Sequence, residues 1–169
     1  MFSKRVRKRI LLIGVLVVAF NFVVPPYIRP AVGETTSRYA PRKRPEAILP
    51  IAFEIHRGID IANQYGTWIR ATKSGRVVEV GYDESAGNYV RIKHWLGFSS
   101  YYAHLAAVSV KVGKFVLKGK RIGTMGSTGR STGPHVHFEV SWRGRRLPPN
   151  LVCFFDNARR WVLRLGARR

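Results

Sequence analysis

Hydrophobic and polar residues alternate in short runs between about Ile69 and Trp142, and glycines separate these runs. The clearest runs are RVVEVGYD (76–83), NYVRIKHW (88–95), SSYYAHL (99–105), KFVLKG (114–119) and HVHFEVSW (135–142). Alternation with a period of two is typical of β-strands that bury one face. Short strands at a spacing of roughly ten residues predict an all-β fold built on an antiparallel sheet, as a sandwich or a barrel. A parallel α/β architecture is disfavoured, because no 3.6-residue period is evident between residue 30 and the last twenty residues.

A different pattern opens the chain. Residues 1–9 carry five basic side chains and no acidic one, and residues 10–24 are apolar except for Gly14 and Asn21. This pattern predicts a membrane-targeting helix within residues 1–28, as a signal peptide or a signal anchor, with the rest of the chain exported. The apolar segment falls between the about 7–15 residues of a signal peptide and the about 20 residues of a membrane span. Cleavage and retention therefore both stay open, as does a buried helix of the globular domain.

Composition divides the remainder of the chain. Residues 29–50 are rich in Pro, Arg, Ser and Thr and show no apolar period, which predicts an extended linker. Residues 51–142 are predicted to form the folded core. Residues 143–169 form a basic C-terminal extension, and its last part, from Asp156 to Arg169, has the pattern of a short basic helix.

Charge and cysteine content limit the possible binding partners and exclude some kinds of site. The chain has 30 Lys and Arg against 9 Asp and Glu, a net charge of +21 in 169 residues. Such a chain is attracted to polyanions. We expect no nucleic-acid binding, because the excess lies mainly in the first nine residues, the linker and the tail, without an aromatic–basic RNA motif. We hypothesise instead that the basic tail binds an anionic membrane or wall surface. A single cysteine, Cys153, excludes intramolecular disulfides and Cys-rich zinc fingers.

Candidate chemistry lies in four of the five histidines. His135 and His137 are two residues apart in a predicted strand, so both side chains emerge on one face. His56 and Asp60 are four residues apart with Gly58 between them, and His104 lies near the end of another predicted strand. Two imidazoles and one carboxylate are a ligand set that zinc takes in catalytic sites. Two histidines are then left for proton transfer.

Several short motifs follow one another between His56 and Val140. They are HRGIDI (56–61), Gly66-Thr67, Ser74-Gly75, GNYV (87–90), Lys93-His94, YAHL (102–105) and a Gly-rich block that ends in GPHVHFEV (133–140). In their order and spacing these motifs resemble the lysostaphin-like (LytM-type) zinc metallopeptidases, which cut peptide cross-links of bacterial peptidoglycan. The resemblance covers about half of the chain and nearly all of its predicted folded part.

The resemblance implies a zinc endopeptidase with one Zn²⁺ bound by His56, Asp60 and His137. It also implies that His104 and His135 are the uncoordinated catalytic pair around a water molecule that the metal activates. Their separate roles stay open, as does the choice between glycyl bonds and D-amino-acid cross-links. Glu139 is predicted either to orient a ligand imidazole or to form a cross-strand ion pair with an arginine.

The predicted substrate is the stem peptide of peptidoglycan, and the predicted location is the cell envelope, either anchored in the inner membrane or secreted. The alternative function is a non-catalytic envelope protein that binds peptidoglycan or regulates a cell-wall amidase. Family members of that kind have lost site residues, whereas all five are present here.

Overall fold

The computed structural model describes residues 27–43 and 53–149. This part of the chain forms twelve β-strands and one 3₁₀ turn, Trp95–Gly97. The strands are β1 (Glu34–Ser37), β2 (Ala40–Lys43), β3 (Phe53–His56), β4 (Ile59–Ala62), β5 (Trp68–Arg70), β6 (Gly75–Asp83), β7 (Gly87–Lys93), β8 (Phe98–Val108), β9 (Phe115–Val116), β10 (Arg121–Met125), β11 (His135–Trp142) and β12 (Arg145–Leu147). Their pairings are all antiparallel, which confirms the predicted all-β class.

The alternating runs coincide with β6, β7, β8, β9 and β11. In β11, Val136, Phe138 and Val140 are buried, whereas His135, His137 and Glu139 are only partly buried. The alternation therefore separates a core face from a face that carries ionisable side chains.

Two predicted elements lie outside the described residues: the membrane-targeting segment up to residue 26 and the tail from residue 150. Among the residues that the structure describes, no helix has the length and apolar character needed to cross a membrane.

Ten of the strands form one sheet in the order β1-β4-β11-β8-β7-β6-β9, with β12 beside β11, and β10 joining β8 to β5; β2 and β3 form a second, two-stranded sheet. The central strand β8 changes partner along its length. Residues from Phe98 to Ala103 pair with β11, and residues from Leu105 to Val108 pair with β10. His104 lies at the point of exchange.

The core lies against the sheet face opposite the ionisable side chains. Its largest fully buried side chains are Tyr27, Tyr102, Phe138, Ile61, Ile69, Ile92, Leu105, Ile122 and Met125. They come from strands that are far apart in sequence, together with Tyr27 from the N-terminal segment. Burial of this apolar surface is the main favourable contribution to folding.

The predicted linker, residues 29–50, differs from the structure wherever the structure describes it. Ala31 belongs to the core, the Pro30 carbonyl accepts a hydrogen bond of 2.8 Å from the Arg70 amide, and β1 pairs with β4. The cause is that β1 is an edge strand with the polar sequence ETTS and mostly exposed side chains. An edge strand needs no apolar alternation, so composition alone made it look like a linker.

Two further strands lie where none was expected. One is β10, which includes Gly123; a Cβ there would collide with the Ala107 carbonyl oxygen, so the strand needs glycine at this position. Strand β12 lies within the predicted extension 143–169 and pairs with β11. The sheet therefore continues five residues past the predicted end of the core at residue 142, to Leu147.

Tyr27 tests whether the N-terminal segment is part of the fold. Its ring is fully buried, so Tyr27→Ala is expected to lower the free energy of unfolding by about 3 kcal/mol, as for other buried aromatic truncations. Urea unfolding measures the change. Tyr65→Ala is the matched control, since Tyr65 is exposed, and its effect should stay within about 0.5 kcal/mol. Equal effects of the two variants would show that residue 27 contributes nothing to the core.

His94 is a buried histidine away from the other four. Its Nδ1 lies 3.0 Å from the Ser74 carbonyl oxygen and its Nε2 lies 2.7 Å from Ser100 Oγ, which in turn contacts the Tyr102 hydroxyl. Burial lowers the pKa of His94 to about 4, against the hydrogen bond to Ser74 and with the help of the nearby Lys73 charge. The neutral ring is a structural part of the core.

His94 therefore predicts a pH-dependent loss of stability. The folded pKa lies below the unfolded value of 6.5, so the unfolded chain takes up a proton that the folded chain refuses. Stability contributed by the neutral ring is present above pH 6.5 and is lost as the pH falls towards 4, by up to about 3 kcal/mol. In urea unfolding, His94→Gln should be less stable than the parent protein at pH 7.5, and the difference should shrink at pH 4.5. A difference that is constant with pH would contradict this assignment.

Candidate metal centre and active site

Three side chains with metal-ligating atoms meet where β4 lies beside β11. His56 ends β3, Asp60 lies in β4, and the register of β4 against β11 pairs Asp60 with His137. Asp60 Oδ1 lies 2.8 Å from His137 Nδ1 and 3.2 Å from His56 Nε2, and the two imidazole nitrogens are 3.0 Å apart. We call these three residues the triad.

Gly58 permits this approach. A Cβ at this position would collide with the Phe138 carbonyl oxygen and would lie 2.8 Å from Cε1 of the His137 ring. In the sequence, Gly58 lies midway between His56 and Asp60. The structure gives the reason for glycine there, namely the close contact between the turn after His56 and strand β11.

The His56 ring is held from the N-terminal segment. Its Nδ1 lies 3.0 Å from the Arg38 carbonyl oxygen and 3.0 Å from Ser37 Oγ. When Nδ1–H donates to the Arg38 carbonyl, Nε2 keeps its lone pair and faces Asp60 and His137. The sequence gave no signal for Ser37 and Arg38, because both were assigned to the linker.

Glu139 holds the His137 ring and also pairs with an arginine. Its Oε1 lies 3.4 Å from His137 Nε2, and its Oε2 accepts a hydrogen bond of 2.9 Å from Arg146 Nε. The two roles that the sequence offered as alternatives occur together. Arg146 thereby has an acidic partner, which the sequence of the tail did not suggest.

The Asp60 and Glu139 carboxylates stabilise positive charge on the His137 imidazole. Burial opposes ionisation of both His137 and Asp60, but their hydrogen bond outweighs it, with further help from Glu139 and His56. The pKa of His137 rises to about 9, and that of the Asp60 carboxyl falls well below its usual range. The ligand atoms lie within 4.8 Å of one another and could hold a metal ion. Two imidazoles and one carboxylate fit zinc with an open fourth position.

His104 and His135 lie beside the triad. Their ring centroids are 4.6 Å apart, and the His104 ring is 6.2 Å from that of His137. Each Nδ1 lies 2.8 Å from a carbonyl oxygen, of Thr128 for His104 and of Gly133 for His135. With Nδ1–H donating to these carbonyls, both Nε2 atoms are free of hydrogen. His135 Nε2 is 3.9 Å from Asp60 Oδ1.

A strained backbone aims the His104 side chain. His104 has a φ of +61°, in the left-handed region that bulky residues rarely adopt. The register of β7 against β8 shifts between Val90 and Asn88, as expected for a β-bulge at this point of β8. His104 thus lies inside a strand that runs to Val108, rather than near a strand end as predicted.

Burial sets the ionisation of His104. It lowers the pKa of His104 to about 4; the Thr128 hydrogen bond opposes this shift, and the neighbouring His135 and His137 charges add to it. The ring is therefore neutral at pH 7.

The Gly-rich segment after β10 serves both of these histidines. Thr128 donates its hydroxyl to the Leu105 carbonyl, and Thr128 Oγ1 accepts the Asn88 amide. These bonds fix the carbonyl that receives His104 Nδ1. Ser131 Oγ lies 3.2 Å from His135 Nδ1. The segment thus orients two imidazoles, a role that its sequence did not reveal.

The profile of peptidase family M23 matches residues 54–149, which is more than half of the chain. The chain belongs to peptidase family M23. The match covers all five predicted site residues and ends two residues after β12.

Named relatives of the M23 domain act on the cell wall. ShyA of Vibrio cholerae, a peptidoglycan DD-endopeptidase, is 41% identical over 103 residues, which cover 60% of this chain and 24% of ShyA. Mpg of Neisseria gonorrhoeae, a DD-carboxypeptidase/endopeptidase, is 43% identical over 101 residues, which cover 60% of this chain and 23% of Mpg. The matched segment thus spans about a quarter of each of these relatives.

Solved structures agree with the fold. A zinc-containing peptidase from Vibrio cholerae matches with a TM-score of 0.66 and 36% identity, over 73% of this chain and 39% of that one. The catalytic domain of lysostaphin from Staphylococcus simulans matches with a TM-score of 0.61 and 31% identity, over 69% and 89%. A chain of the SpoIIQ–SpoIIIAH pore-forming complex also matches, with a TM-score of 0.62 and 27% identity, over 75% and 90%.

Glu139→Gln tests the hold on His137. Loss of the carboxylate beside a ligand imidazole is expected to weaken zinc binding about 10- to 100-fold, as measured by competition with a chromophoric chelator. The matched control is Glu79→Gln, since Glu79 also pairs with an arginine, Arg91, at 2.9 Å but lies outside the triad. Equal zinc affinity of the two variants would remove Glu139 from the metal centre.

Proposed function

We propose that this M23 domain is a zinc-dependent endopeptidase that hydrolyses peptide cross-links of bacterial peptidoglycan. In this proposal one zinc ion per chain is bound by His56, Asp60 and His137. The observation that carries the proposal is the close pair of imidazoles, His104 and His135, beside the triad, each with its Nδ1 2.8 Å from a backbone carbonyl oxygen. A protein that only binds peptidoglycan needs no such pair.

The named relatives support the substrate class. ShyA is a peptidoglycan DD-endopeptidase and Mpg acts as a DD-carboxypeptidase/endopeptidase. Both are more similar in sequence to this chain than lysostaphin is. We therefore favour a D,D-peptide cross-link, rather than a glycyl bond, as the bond that is cut.

The residues of the site divide the chemistry between them. When bound, the metal supplies Lewis-acid activation of water and of the scissile carbonyl. One imidazole of the His104–His135 pair accepts the proton of the attacking water at Nε2. The imidazolium formed in this way donates the same Nε2–H to the developing oxyanion and then to the departing amine nitrogen, while the other imidazole stays neutral beside it. The carbonyls of Thr128 and Gly133 hold both rings in the required tautomer.

A non-catalytic envelope protein is the second candidate. This candidate is supported by the match to a chain of the SpoIIQ–SpoIIIAH pore-forming complex. The same fold occurs there in an assembly. Such a protein would bind peptidoglycan or regulate an amidase, and it would tolerate loss of His104 and His135.

Location and surface binding follow as further parts of the proposal. Export by the segment 1–28, with an anchored or a released product, agrees with the cell-wall action of the relatives. We also keep the basic extension as an anionic-surface binder. Of its described arginines, Arg143 and Arg145 are exposed and Arg146 is paired with Glu139. Binding through exposed charges should weaken with salt.

Two sets of alanine variants of the full chain test the proposal. His56→Ala, Asp60→Ala and His137→Ala are expected to lose stoichiometric zinc. His104→Ala and His135→Ala should keep zinc and lose about 10²-fold or more of the activity, the usual scale for a general acid or base. Elemental analysis measures zinc, and mass spectrometry of muropeptides released from purified sacculi measures hydrolysis. Conversion of D,D-cross-linked muropeptides into uncross-linked ones would identify the D,D-peptide bond as the bond that is cut.

Glu79→Gln, away from the site, serves as the activity control, and circular dichroism checks that each variant keeps its β structure. Full zinc occupancy in His137→Ala would refute the ligand assignment. Near-normal hydrolysis by His104→Ala and by His135→Ala would return the protein to the non-catalytic class.

A further inference from the structure

Exposed apolar side chains gather at one end of the described domain. Trp95 is 79% exposed, Leu96 is 46% exposed and Trp142 is 40% exposed. The Trp142 indole donates a 3.0 Å hydrogen bond to the Leu96 carbonyl, and its ring lies 6.3 Å from that of Phe98. The Arg143 guanidinium lies 5.1 Å from the Trp142 ring. We call Trp95, Leu96, Phe98, Trp142 and Arg143 the aromatic end.

Backbone strain is concentrated in the same place. Leu96 has a φ of +59° and Arg143 a φ of +47°, values that bulky side chains rarely adopt. The two turns hold each other, because the Arg143 amide donates a 2.8 Å hydrogen bond to the Gly97 carbonyl. Strain of this kind persists where surrounding contacts fix it, and it often marks functional surfaces. Here it accompanies two apolar side chains, Trp95 and Leu96, that face solvent instead of the core.

The surroundings of the aromatic end are basic. Lys93, Arg143 and Arg145 are exposed there. Residues 86–138 and 140–149 contain no Asp or Glu. Trp and Leu flanked by Lys and Arg form the combination that binds the interface of an anionic bilayer, since indoles favour the headgroup level and basic side chains favour anionic lipid.

The chain enters the domain at this same end. The Tyr27 ring is buried 6.4 Å from Phe98 and 5.6 Å from His94, the residue before Trp95. Residues 1–26 precede it, and their apolar run ends at Val24. Three residues of extended chain reach at most about 11 Å. A membrane-inserted run that ends at Val24 would therefore keep the aromatic end close to the bilayer.

The triad lies at the other end of β11. This strand runs from His135 to Trp142, and His137 is five residues from Trp142, which is about 17 Å at ~3.3 Å per residue. A bilayer at the aromatic end would leave the site facing away from the lipid.

We propose that the aromatic end of this domain rests on the anionic bilayer from which the chain emerges, with Trp95, Leu96 and Trp142 in the headgroup region. The active site then points towards the wall. This inference depends on the proposed export and retention of the N-terminal segment, but not on catalysis.

Fluorescence quenching by brominated lipids tests the orientation in the full chain. The protein is reconstituted into vesicles of phosphatidylcholine and phosphatidylglycerol with bromine on the upper acyl chain, and all variants carry Trp161→Phe to remove the tail emitter. Trp95→Phe and Trp142→Phe should each lower the quenched fraction of the emission. Trp68→Phe is the matched control. It is 43% exposed and lies in β5, which pairs with β10 away from the aromatic end, so its removal should raise the quenched fraction.

A charge variant provides the second arm. Arg145→Glu should reduce quenching of Trp95 and Trp142 in anionic vesicles and have little effect in pure phosphatidylcholine. Three results would overturn the proposal: a protein that does not float with vesicles, equal quenching in the Trp95→Phe and Trp68→Phe variants, or stronger quenching of Trp68. The last two would leave the aromatic end free for a protein partner. Loss of sacculus hydrolysis would leave these quenching results unaltered, so failure of the proposed function would be distinguishable.

Discussion

The register of β4 against β11 is the constraint on which the site depends. It pairs Asp60 with His137 on one face of the sheet while Ile59, Ile61, Val136 and Phe138 fill the core. Because side chains alternate along a strand, a slip of one residue would bury the ligating groups and expose the apolar ones. The hydrophobic core therefore fixes the distance between carboxylate and imidazole. The arrangement of the triad is thus stabilised by the same burial that stabilises the fold.

A second constraint acts on the imidazoles, each of which has one nitrogen engaged away from the centre of the site. Backbone carbonyls of Arg38, Thr128 and Gly133 hold three of the rings, and the Glu139 carboxylate holds the fourth. A backbone carbonyl can fix the tautomer of an imidazole whatever the side chain of its own residue is. They do require that two irregular segments, the N-terminal segment and the Gly-rich segment after β10, keep a defined shape. These segments therefore help to set the orientation of the imidazoles.

These two constraints explain which parts of the fold and the site could be predicted from the sequence. The alternating strands, the His-x-His pair and the His56–Asp60 spacing are side-chain patterns, and the structure brings all five predicted residues together. The holding contacts are main-chain features and leave no residue signature. Strand β1 escaped prediction because an edge strand exposed on both faces has no apolar period, and β10 because its glycine answers a contact with β8 that is distant in sequence. The role of Glu139 could be predicted from the sequence, because its own carboxylate makes the contacts with His137 and Arg146.

The N-terminal segment joins the two ends of the domain. Tyr27 enters the core beside Phe98 and His94, and ten residues later Ser37 reaches the His56 ring. Between them, Ile28 and Pro30 bond to the backbone of Thr72 and Arg70. One continuous stretch thus runs from the aromatic end to the triad, bonded to the sheet at Ile28, at Pro30 and through β1. The same stretch therefore places one side chain in the core and another against the His56 ring.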